Sequence, residues 1–441
     1  MLFIYDIFFV ICLLYYLPVF FFSGKYHKGF CMRLGIMPKE IFNRLKGRDI
    51  IWIHAVSVGE ANSAQPLIEV LRQKYPRKHF VISTITETGN QAAKRIAGDD
   101  CTVIYLPFDV SSIVKKVIRR LNPSLFIIIE TEIWPNLILR FHKEGIPVAL
   151  VNGRISASSF RGYNLLKPFI EPLLKNVGLF CMQTKSDASK IKSLGAREET
   201  VKVTGNLKFD IGQEKEALYK QADEFASIIK LSEKDKVFIA GSTHYPEEKA
   251  LFSVYGRLLK HYPDLKMVVV PRHIRRVDKI ENEARGMNLK PVRYSDLIEG
   301  KKVLSRQAGR EVIILNLMGR LKAAYSRADI VFVGGSLAKR GGQNMIEPAS
   351  FSKALMFGPH TDNFHNLAEG LLQKEAALMV KDEEDLFDKS FFLLSHPKKR
   401  EELGKNALAF LEQSRGAAKK TIDLIEVFCK SKQGINRDFG D

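Results

Sequence analysis

Cysteine is scarce in this chain, and several catalytic signatures are missing from it. The five cysteines are scattered, odd in number and form no CxxC pair. This usage favours a reducing compartment and argues against a structural zinc site. The HExxH, GxSxG and Walker patterns do not occur, and there is no low-complexity tract or short-period repeat. The chemistry must therefore be sought in other combinations of residues.

The composition indicates a globular, strongly basic protein. Its 441 residues exceed a typical single domain and fit two α/β domains of roughly 180 to 200 residues each. A hydrophobic fraction of 46% beside 27% charged residues provides for a sizeable core. Lysine and arginine number 68 against 49 acidic residues, which gives a formal net charge of +19. Such a charge predicts anionic partners, with nucleic acid, an anionic membrane face and phosphorylated lipid as candidates.

The N-terminal segment differs from the rest because residues 1–22 are apolar and carry a single charge, Asp6. The segment is long enough to cross a bilayer or to lie in one leaflet. No basic region precedes it and no small-residue cleavage site follows, so a retained membrane anchor is predicted rather than a signal peptide. A buried core helix is the alternative, because Asp6 and Pro18 are unfavourable in a membrane span.

A basic segment follows the apolar one. Its charges are Lys25, Lys28, Arg33, Lys39, Arg44, Lys46 and Arg48, against only Glu40 and Asp49. By the positive-inside rule, this excess places the next domain on the cytoplasmic side of a membrane. The same segment suits anionic headgroups.

From residue 50 onward, short apolar runs alternate with amphipathic stretches, which predicts parallel, doubly wound sheets. The predicted strands are 50–56, 80–85, 102–106, 125–129, 148–151, 179–183, 201–204, 237–240, 267–270, 312–315, 330–333, 354–357 and 377–380. Helical patterns include 64–74, 89–96, 112–121 and the chain after residue 395. A polar stretch, 210–235, interrupts the alternation. We therefore expect domains at 23–212 and 213–441 with an active cleft between them, and terminal helices that can pack back on the first.

The stretch VFVGGSLAKRGGQNMIEPAS, residues 331–350, predicts a phosphate site. An apolar strand ends at the pair Gly334-Gly335, and the pair Gly341-Gly342 precedes Asn344, a predicted helix N-cap, and Glu347 in the first helical turn. Bare backbone N–H groups at such a turn attract an anion, and the carboxylate can bind ribose hydroxyls. The alternative is an ordinary βα turn with an acidic helix start.

Two further candidate sites follow predicted strands of the first half. The loop HAVSVGE delivers Glu60 to a helix start, where Ser57 and Glu60 also fit a structural capping box. The segment ETEIWPN places Glu130 and Glu132 at a strand end. Such a pair can hold a divalent metal, but hydrogen bonding alone is the favoured interpretation.

Basic residues also follow predicted strands. The segment GNLKFD carries Lys208 near the predicted hinge, as a cation suited to phosphate or carboxylate, or as a solvated surface lysine. In the second half, PRH places Arg272 and His273 at a strand end, where His273 could equally be a capped loop histidine.

Eight motifs in this order together resemble the 3-deoxy-D-manno-octulosonic acid (Kdo) transferases of lipid A biosynthesis. They are HAVSVGE, ETEIWPN, NGRIS, GNLKFD, PRH, VFVGGSL, RGGQNxxEPA and GPHTxNF, and they extend over nearly the whole chain. The resemblance implies a GT-B glycosyltransferase that is metal-independent and inverting. It implies transfer of Kdo from CMP-Kdo to a lipid A precursor, lipid IVA, at the cytoplasmic face of the inner membrane, with no cofactor.

The family pattern also implies roles for particular residues. Glu60 becomes the general base, while Glu130 and Lys208 support the transition state. The residues implied to bind CMP-Kdo in the second domain are Arg272, His273, Met318, Gly319, Arg320, Asn344, Met345, Ile346 and Glu347. Two positions depart from the family pattern, because Arg320 replaces an acidic residue and Gln343 replaces a histidine. Donor affinity is expected to differ accordingly.

Two alternatives remain from the sequence alone. A related GT-B enzyme that uses a UDP-sugar would share the fold and the ribose-binding glutamate. A membrane-tethered basic protein that binds nucleic acid would explain the charge, but no interleaved aromatic and basic motif supports it.

Overall fold

The computed structural model describes residues 2–22, 29–210, 215–232, 234–304 and 310–432. The chain divides into two compact units, Met1–Gly212 with Ser414–Asp441, and Gln213–Gln413. The expected domain junction at residues 212 and 213, and the residues that directly follow the apolar N-terminal segment, lie outside the described residues.

The first unit is built on a parallel sheet in the order β3-β2-β1-β4-β5-β6-β7. Its strands are β1 (Ile50–His54), β2 (His79–Thr84), β3 (Cys101–Tyr105), β4 (Leu125–Ile129), β5 (Val148–Gly153), β6 (Leu179–Met182) and β7 (Val201–Val203). Every residue of β1 and β4 is buried. Continuous burial is typical of strands covered on both faces, which explains their unbroken apolar sequence.

Helices cover both faces of this sheet. They are α1 (Leu2–Phe22), α2 (Phe30–Arg33), α3 (Lys39–Leu45), α4 (Val58–Lys74), α5 (Glu87–Ile96), α6 (Ser111–Leu121), α7 (Pro135–Lys143), α8 (Ala157–Leu165), α9 (Lys167–Leu174), α10 (Lys185–Ser193) and α20 (Ala417–Lys432). One core cluster contains Trp52, Phe126 and Phe141, whose rings pack together. The opposite cluster includes Ile422 and Ile425 of α20, so the end of the chain completes the first unit.

Helix α1 is bonded to the first unit by its polar residues. The Tyr5 hydroxyl donates to Asp109 Oδ2 at 3.0 Å. Asp6 accepts from the Ser111 N–H, the first of α6, at 3.1 Å and from Asn136 Nδ2 at 2.7 Å. A carboxylate at the N-terminus of a helix is favourable because it faces unpaired N–H groups and the positive end of the dipole. Asp6, the one charged residue of this segment, would be unfavourable in a membrane span, but here its carboxylate is satisfied by hydrogen bonds.

The other side of α1 is exposed and apolar. Phe8 is 64% exposed, Ile11 59% and Leu14 62%. Among the described residues, however, no helix combines the length and the hydropathy that a bilayer crossing requires.

The second unit contains another parallel sheet, in the order β10-β11-β9-β8-β12-β13-β14. Its strands are β8 (Lys236–Thr243), β9 (Leu265–Pro271), β10 (Lys290–Arg293), β11 (Glu311–Ile314), β12 (Ile330–Val333), β13 (Ala354–Phe357) and β14 (Leu378–Met379). The helices are α11 (Lys215–Ile228), α12 (Glu247–Leu258), α13 (Val277–Gly286), α14 (Tyr294–Ile298), α15 (Leu321–Ser326), α16 (Ile346–Ser350), α17 (His365–Gln373), α18 (Glu383–Ser395) and α19 (Pro397–Gln413). Buried residues such as Phe238, Phe252 and Phe332 form its core.

The predicted architecture of parallel α/β sheets is confirmed. Strands 125–129, 330–333 and 354–357 have the predicted bounds. Strand β10 was not predicted, because its sequence KPVR contains two charges and a proline in four residues. All four of its residues pair with β11, and β10 lies at the edge of the sheet, where a proline is tolerated.

Candidate active site

The first sheet has a topological switch point between β1 and β4. The chain runs outward from β1 to β2 and β3 on one side, and β4 to β7 continue on the other. Ligands of open α/β sheets bind outside the carboxyl ends of the strands at such a point. Glu60 lies in the first turn of the helix that follows β1, and Glu130 directly follows β4. The two carboxylates therefore flank the switch point.

Glu60 is held by the loop that precedes α4. Its Oε2 accepts the Val56 N–H at 2.7 Å, and its Oε1 accepts from the Ser57 hydroxyl at 3.0 Å. The Glu60 N–H donates back to Ser57 Oγ at 3.4 Å. The predicted capping box is present, although the glutamate bonds the N–H of Val56 rather than that of Ser57.

Glu60 is more than a helix-capping residue, because its surroundings also change the pKa of its carboxyl group. Burial raises the pKa of the Glu60 carboxyl to about 7, and the charges of Glu130 and Glu132 add to this rise. The Val56 N–H and the Ser57 hydroxyl oppose it. A carboxyl group with a pKa near neutrality can take up and release a proton under physiological conditions. The structural and the catalytic interpretations of Glu60 are therefore compatible.

Glu130 and Lys208 form an ion pair beside this site. Lys208 Nζ lies 3.7 Å from Glu130 Oε1, and the two side chains are 28% and 27% exposed. Glu130 has a φ of +61°, in the left-handed region that non-glycine residues seldom adopt. Such backbone strain is concentrated at functional sites. Burial also raises the pKa of Glu132, with a further contribution from Glu130.

Asn152 joins the end of β5 to the loop that carries Lys208. Its Oδ1 accepts the Leu207 N–H at 3.0 Å, and its backbone carbonyl accepts from Gln183 Nε2 at 3.0 Å. Gln183 Oε1 in turn accepts from Asn206 Nδ2 at 3.0 Å. Asn152 is fully buried and also has a left-handed φ, +58°. Asn152 is the first residue of the NGRIS motif, for which no role was predicted.

In the second unit, the predicted donor residues lie on loops at one edge of the sheet. Arg272 and His273 follow β9, Met318 to Arg320 follow β11, and residues 344–347 follow β12. Arg272 and His273 are exposed. Because β11, β9, β8 and β12 are consecutive in the sheet, these loops share its carboxyl edge.

His244, which follows β8, lies among these residues and was not predicted as a site residue. Its ring centroid is 5.7 Å from that of His273, and its Nε2 is 3.2 Å from Gln343 Nε2. Burial lowers the pKa of His244, and the neighbouring Arg340 and His273 contribute to the decrease. The sequence signal that could have identified His244 is its place in the segment GSTH, at the end of a predicted strand.

The structure corrects the prediction that the N–H groups at the first glycine pair are bare. The carboxylate of Glu247, in the first turn of α12, accepts the N–H of Gly335 at 2.8 Å. It also accepts the N–H of Ser336, Leu337 and Ala338 at 2.9, 2.9 and 3.0 Å. Burial raises the pKa of Glu247, and the N–H groups of Gly335, Ala338 and Leu337 act against the rise. The predicted anion cradle is therefore filled by a side chain of the same chain.

The second glycine pair leads into the predicted helix start. Helix α16 begins at Ile346, and Met345 before it already has helical dihedral angles, φ −88° and ψ −14°. Asn344 Oδ1 accepts the Ile346 N–H at 3.0 Å, which is the hydrogen bond of the predicted cap, and its Nδ2 donates to Glu347 Oε1 at 3.2 Å. Glu347 lies in the first helical turn as predicted. Met345 is fully buried, so this predicted donor residue exposes neither its side chain nor its backbone.

The loop after β11 contains the predicted residue that departs from the family pattern. Met318 is 84% exposed, and Gly319 has a left-handed φ of +79°. Arg320 Nη1 pairs with Glu224 Oε2 of α11 at 2.7 Å. The guanidinium at this position therefore has an acidic partner within its own unit.

Comparison with known proteins identifies the family. Residues 28–211 match the family model described as 3-deoxy-D-manno-octulosonic-acid transferase. A 3-deoxy-D-manno-octulosonic acid transferase of Haemophilus influenzae is 33% identical over 86% of this chain and 87% of its own length. The chain belongs to the Kdo transferase family. It is accordingly a glycosyltransferase, and the resemblance predicted from the eight motifs is confirmed.

Another relative of this Kdo transferase is longer. A bifunctional glycosyltransferase/methyltransferase of Fusobacterium nucleatum is 35% identical over 85% of the chain, which spans 56% of that relative. Among solved structures, a UDP-GlcNAc 2-epimerase from Neisseria meningitidis covers 86% of the chain and aligns over its full length, 100%, with a TM-score of 0.58 and 15% identity. That likeness concerns the fold alone, two parallel α/β domains like those of GT-B glycosyltransferases.

Proposed function

We propose that this Kdo transferase moves Kdo from CMP-Kdo to a lipid A precursor, lipid IVA, with inversion at the anomeric carbon. The observation that carries the mechanism is the Glu60 carboxyl, whose pKa burial raises to about 7 beside the Glu130–Lys208 pair. An inverting transfer requires one such group to accept a proton from the attacking hydroxyl.

The proposed step balances as follows. A hydroxyl oxygen of the acceptor attacks the anomeric carbon of Kdo, and its proton passes to the Glu60 carboxylate. The bond between that carbon and the phosphate oxygen of CMP breaks, and CMP departs with the electron pair. Lys208, held 3.7 Å from Glu130, is a fixed cation that offsets negative charge developing on the phosphate.

On the donor side, we assign CMP recognition to the carboxyl edge of the second sheet. Arg272 and His273 present positive and hydrogen-bonding groups suited to the phosphate. Glu347 Oε1 accepts from Asn344 Nδ2 and has a second oxygen that can accept from a ribose hydroxyl. His244, between these two loops, is a further candidate for the phosphate.

We also propose that the protein works at the cytoplasmic face of the inner membrane, with α1 as its anchor. The polar residues of α1 bond to the first unit, while Phe8, Ile11 and Leu14 remain exposed. Exposed apolar side chains on one side of a helix are typical of interfacial membrane binding. The net charge of +19 favours anionic lipid and a phosphorylated acceptor.

Membrane binding can be tested on the full chain with anionic phospholipid vesicles. The double change Phe8→Asp with Ile11→Asp should abolish co-flotation, because two charges would enter the headgroup boundary. CMP binding should persist. Val427→Asp, at an apolar position that is 68% exposed in α20, is the matched control and should leave flotation unchanged. Flotation of the double variant at the level of the parent would contradict the assignment of α1.

The activity can be tested with purified full-length protein, CMP-Kdo and lipid IVA. We expect CMP release together with an increase in acceptor mass by one or more Kdo residues. Thermal shifts with CMP, UDP and an oligonucleotide distinguish the alternatives. We expect CMP to raise the melting temperature, and UDP and the oligonucleotide to leave it unchanged. Stabilisation by UDP without any by CMP would point to a UDP-sugar enzyme, and stabilisation by the oligonucleotide alone would point to nucleic-acid binding.

A further inference from the structure

The second sheet, like the first, has a topological switch point, which lies between β8 and β12. Glu247 lies in the first turn of α12, the helix after β8, and is 2% exposed. Its carboxylate reaches the loop after β12, the neighbouring strand. This is the position at which α/β proteins commonly hold the phosphate of a nucleotide.

The hydrogen bonds around Glu247 are those expected for a bound anion. Oε1 accepts three successive N–H groups, those of Ser336, Leu337 and Ala338. Oε2 accepts from Gly335 at 2.8 Å and from the His244 N–H at 2.9 Å. Successive N–H groups that converge in this way form an anion-binding concavity. Here the anion is permanent, because it is part of the chain.

The loop so fixed is connected to the proposed donor site. The Gly342 N–H donates to the Gly335 carbonyl at 2.9 Å, which joins the first glycine pair to the second. Ser336 Oγ accepts the Gly358 N–H at 2.8 Å, and the Ser336 carbonyl accepts the His360 N–H at 3.0 Å. The conformation imposed at residues 335–338 therefore extends to the loops after β12 and β13.

Close packing restricts the loop after β12 to nearly one conformation. A Cβ at Gly334 would lie 2.6 Å from the Ser242 carbonyl oxygen, and Gly335 has a left-handed φ of +71°. Ser242, at the end of β8, itself has a φ of +55°. The end of β8 and the loop after β12 thus approach closely through their backbones, and Glu247 bonds to His244 after β8 and to Gly335 after β12.

We propose that Glu247 is a positioning residue for donor binding: its carboxylate occupies the phosphate cradle of the second unit and thereby presents residues 341–347 to the nucleotide. This inference rests on the proposed function insofar as the nucleotide is CMP. It requires that the phosphate of the donor bind outside residues 335–338, where His244, Arg272 and His273 are the available groups.

The test is chemical rescue of Glu247→Ala in the full-length protein. Loss of the carboxylate leaves buried N–H groups unpaired, so the loop should relax and the Kd for CMP should rise about tenfold or more, as expected for a displaced binding loop. Formate supplies a carboxylate small enough for the vacated space. We expect formate to return the Kd to within about threefold of the parent value, because it restores the same hydrogen bonds.

Two further variants separate positioning from general stability. Glu281→Ala removes another buried carboxylate of the second unit, which pairs with Arg293 at 3.0 Å, and serves as the matched control. It should lower the melting temperature without any response to formate. Glu247→Gln keeps one acceptor oxygen but turns an amide group toward N–H donors, so it should weaken CMP binding with no rescue.

The outcomes are distinguishable. If Glu247→Ala is folded only with formate, the formate dependence of its melting temperature replaces the Kd as the readout and supports the proposal. An unchanged or tighter Kd for CMP in Glu247→Ala would overturn it, since the cradle would then be a site for the donor phosphate itself. An absence of any formate effect would also overturn it. If the parent does not bind CMP but formate still raises the melting temperature of Glu247→Ala, the loop assignment holds and the proposed donor fails.

Discussion

The two units place a glutamate at the same topological position and surround it differently. Glu60 and Glu247 each lie in the first turn of the helix that follows the first strand of their sheet, next to the switch point. Burial raises the pKa of both carboxyl groups. Glu60 accepts one backbone N–H, and the charge of Glu130 adds to the rise of its pKa, whereas Glu247 accepts five N–H groups. The neighbours, rather than the position, decide which carboxylate can exchange a proton.

This contrast has a simple electrostatic basis. Each N–H that points at a carboxylate stabilises its charged form, while a second carboxylate nearby destabilises it. Glu60 therefore combines a raised pKa with oxygen atoms that are not saturated by donors. Glu247 has its lone pairs committed to the loop after β12. We assign chemistry to the first and loop positioning to the second.

The largest expected effect comes from replacing Glu60. Glu60→Gln keeps an acceptor for the Val56 N–H but cannot take up a proton at neutral pH. Turnover should fall by about 10² to 10⁴, the range for loss of a general base, while the Kd for CMP remains unchanged. Initial rates of CMP release and calorimetric CMP binding provide the two measurements.

A control on the same helix makes this result specific. Glu69→Gln alters another carboxylate of α4, which accepts from Gln65 Nε2 at 2.8 Å, and should leave turnover unchanged. If Glu60→Gln retains turnover within threefold of the parent, Glu60 is a cap only. Glu130 would then be the next candidate for the base.

Glu60 could be proposed from sequence because its signals are local. Strand β1, the loop and Ser57 lie within a few residues of it, so periodicity and capping chemistry locate the carboxylate at a strand end. Its raised pKa could not be predicted, because it depends on burial and on Glu130, which is distant in sequence.

The bonds of Glu247 were beyond sequence reasoning for a similar reason. Four of its five N–H donors lie 88 to 91 positions away in the chain, and no periodic pattern predicts such a contact. The glycine pair was correctly expected to form a turn after a strand. The prediction that a phosphate binds in that turn was wrong, because the Glu247 carboxylate lies there. A local sequence shows which N–H groups are available, but it does not show which acceptor reaches them.

The next effect concerns pH. A general base must be deprotonated to act, and burial raises the pKa of Glu60 to about 7. The value of kcat/KM should therefore increase about tenfold for each pH unit below the inflection and level off above it. A rate profile between acid and mildly alkaline pH measures this. A profile that stays flat down to the ordinary pKa of a glutamate, 4.5, would contradict the assignment.

A smaller effect is expected from the neighbours of Glu60, which should move this inflection in opposite directions. Glu130→Gln removes a negative charge that raises the pKa of Glu60, so the inflection should shift to lower pH. Ser57→Ala removes the hydroxyl that donates to Glu60 Oε1 and should shift it upward. The residual kcat/KM of each variant, measured as a function of pH, gives the pH of its inflection. Shifts of the same sign would mean that the profile reports another group.

The smallest expected effect is that of EDTA, which should leave the rate of Kdo transfer unchanged. In the first unit, the positive charge beside Glu130 comes from Lys208, whose Nζ is 3.7 Å from Oε1. An ammonium there can balance the charge of the departing phosphate, so the proposed step requires no divalent cation. In the second unit, the carboxylate of Glu247 is bonded to N–H groups on both oxygens. Initial rates after dialysis against EDTA, with and without added Mg²⁺, should therefore agree. A strict need for Mg²⁺ would contradict this and would indicate that Glu130 and Glu132 are metal ligands. A bound cation beside Glu60 would then lower the pKa of its carboxyl group.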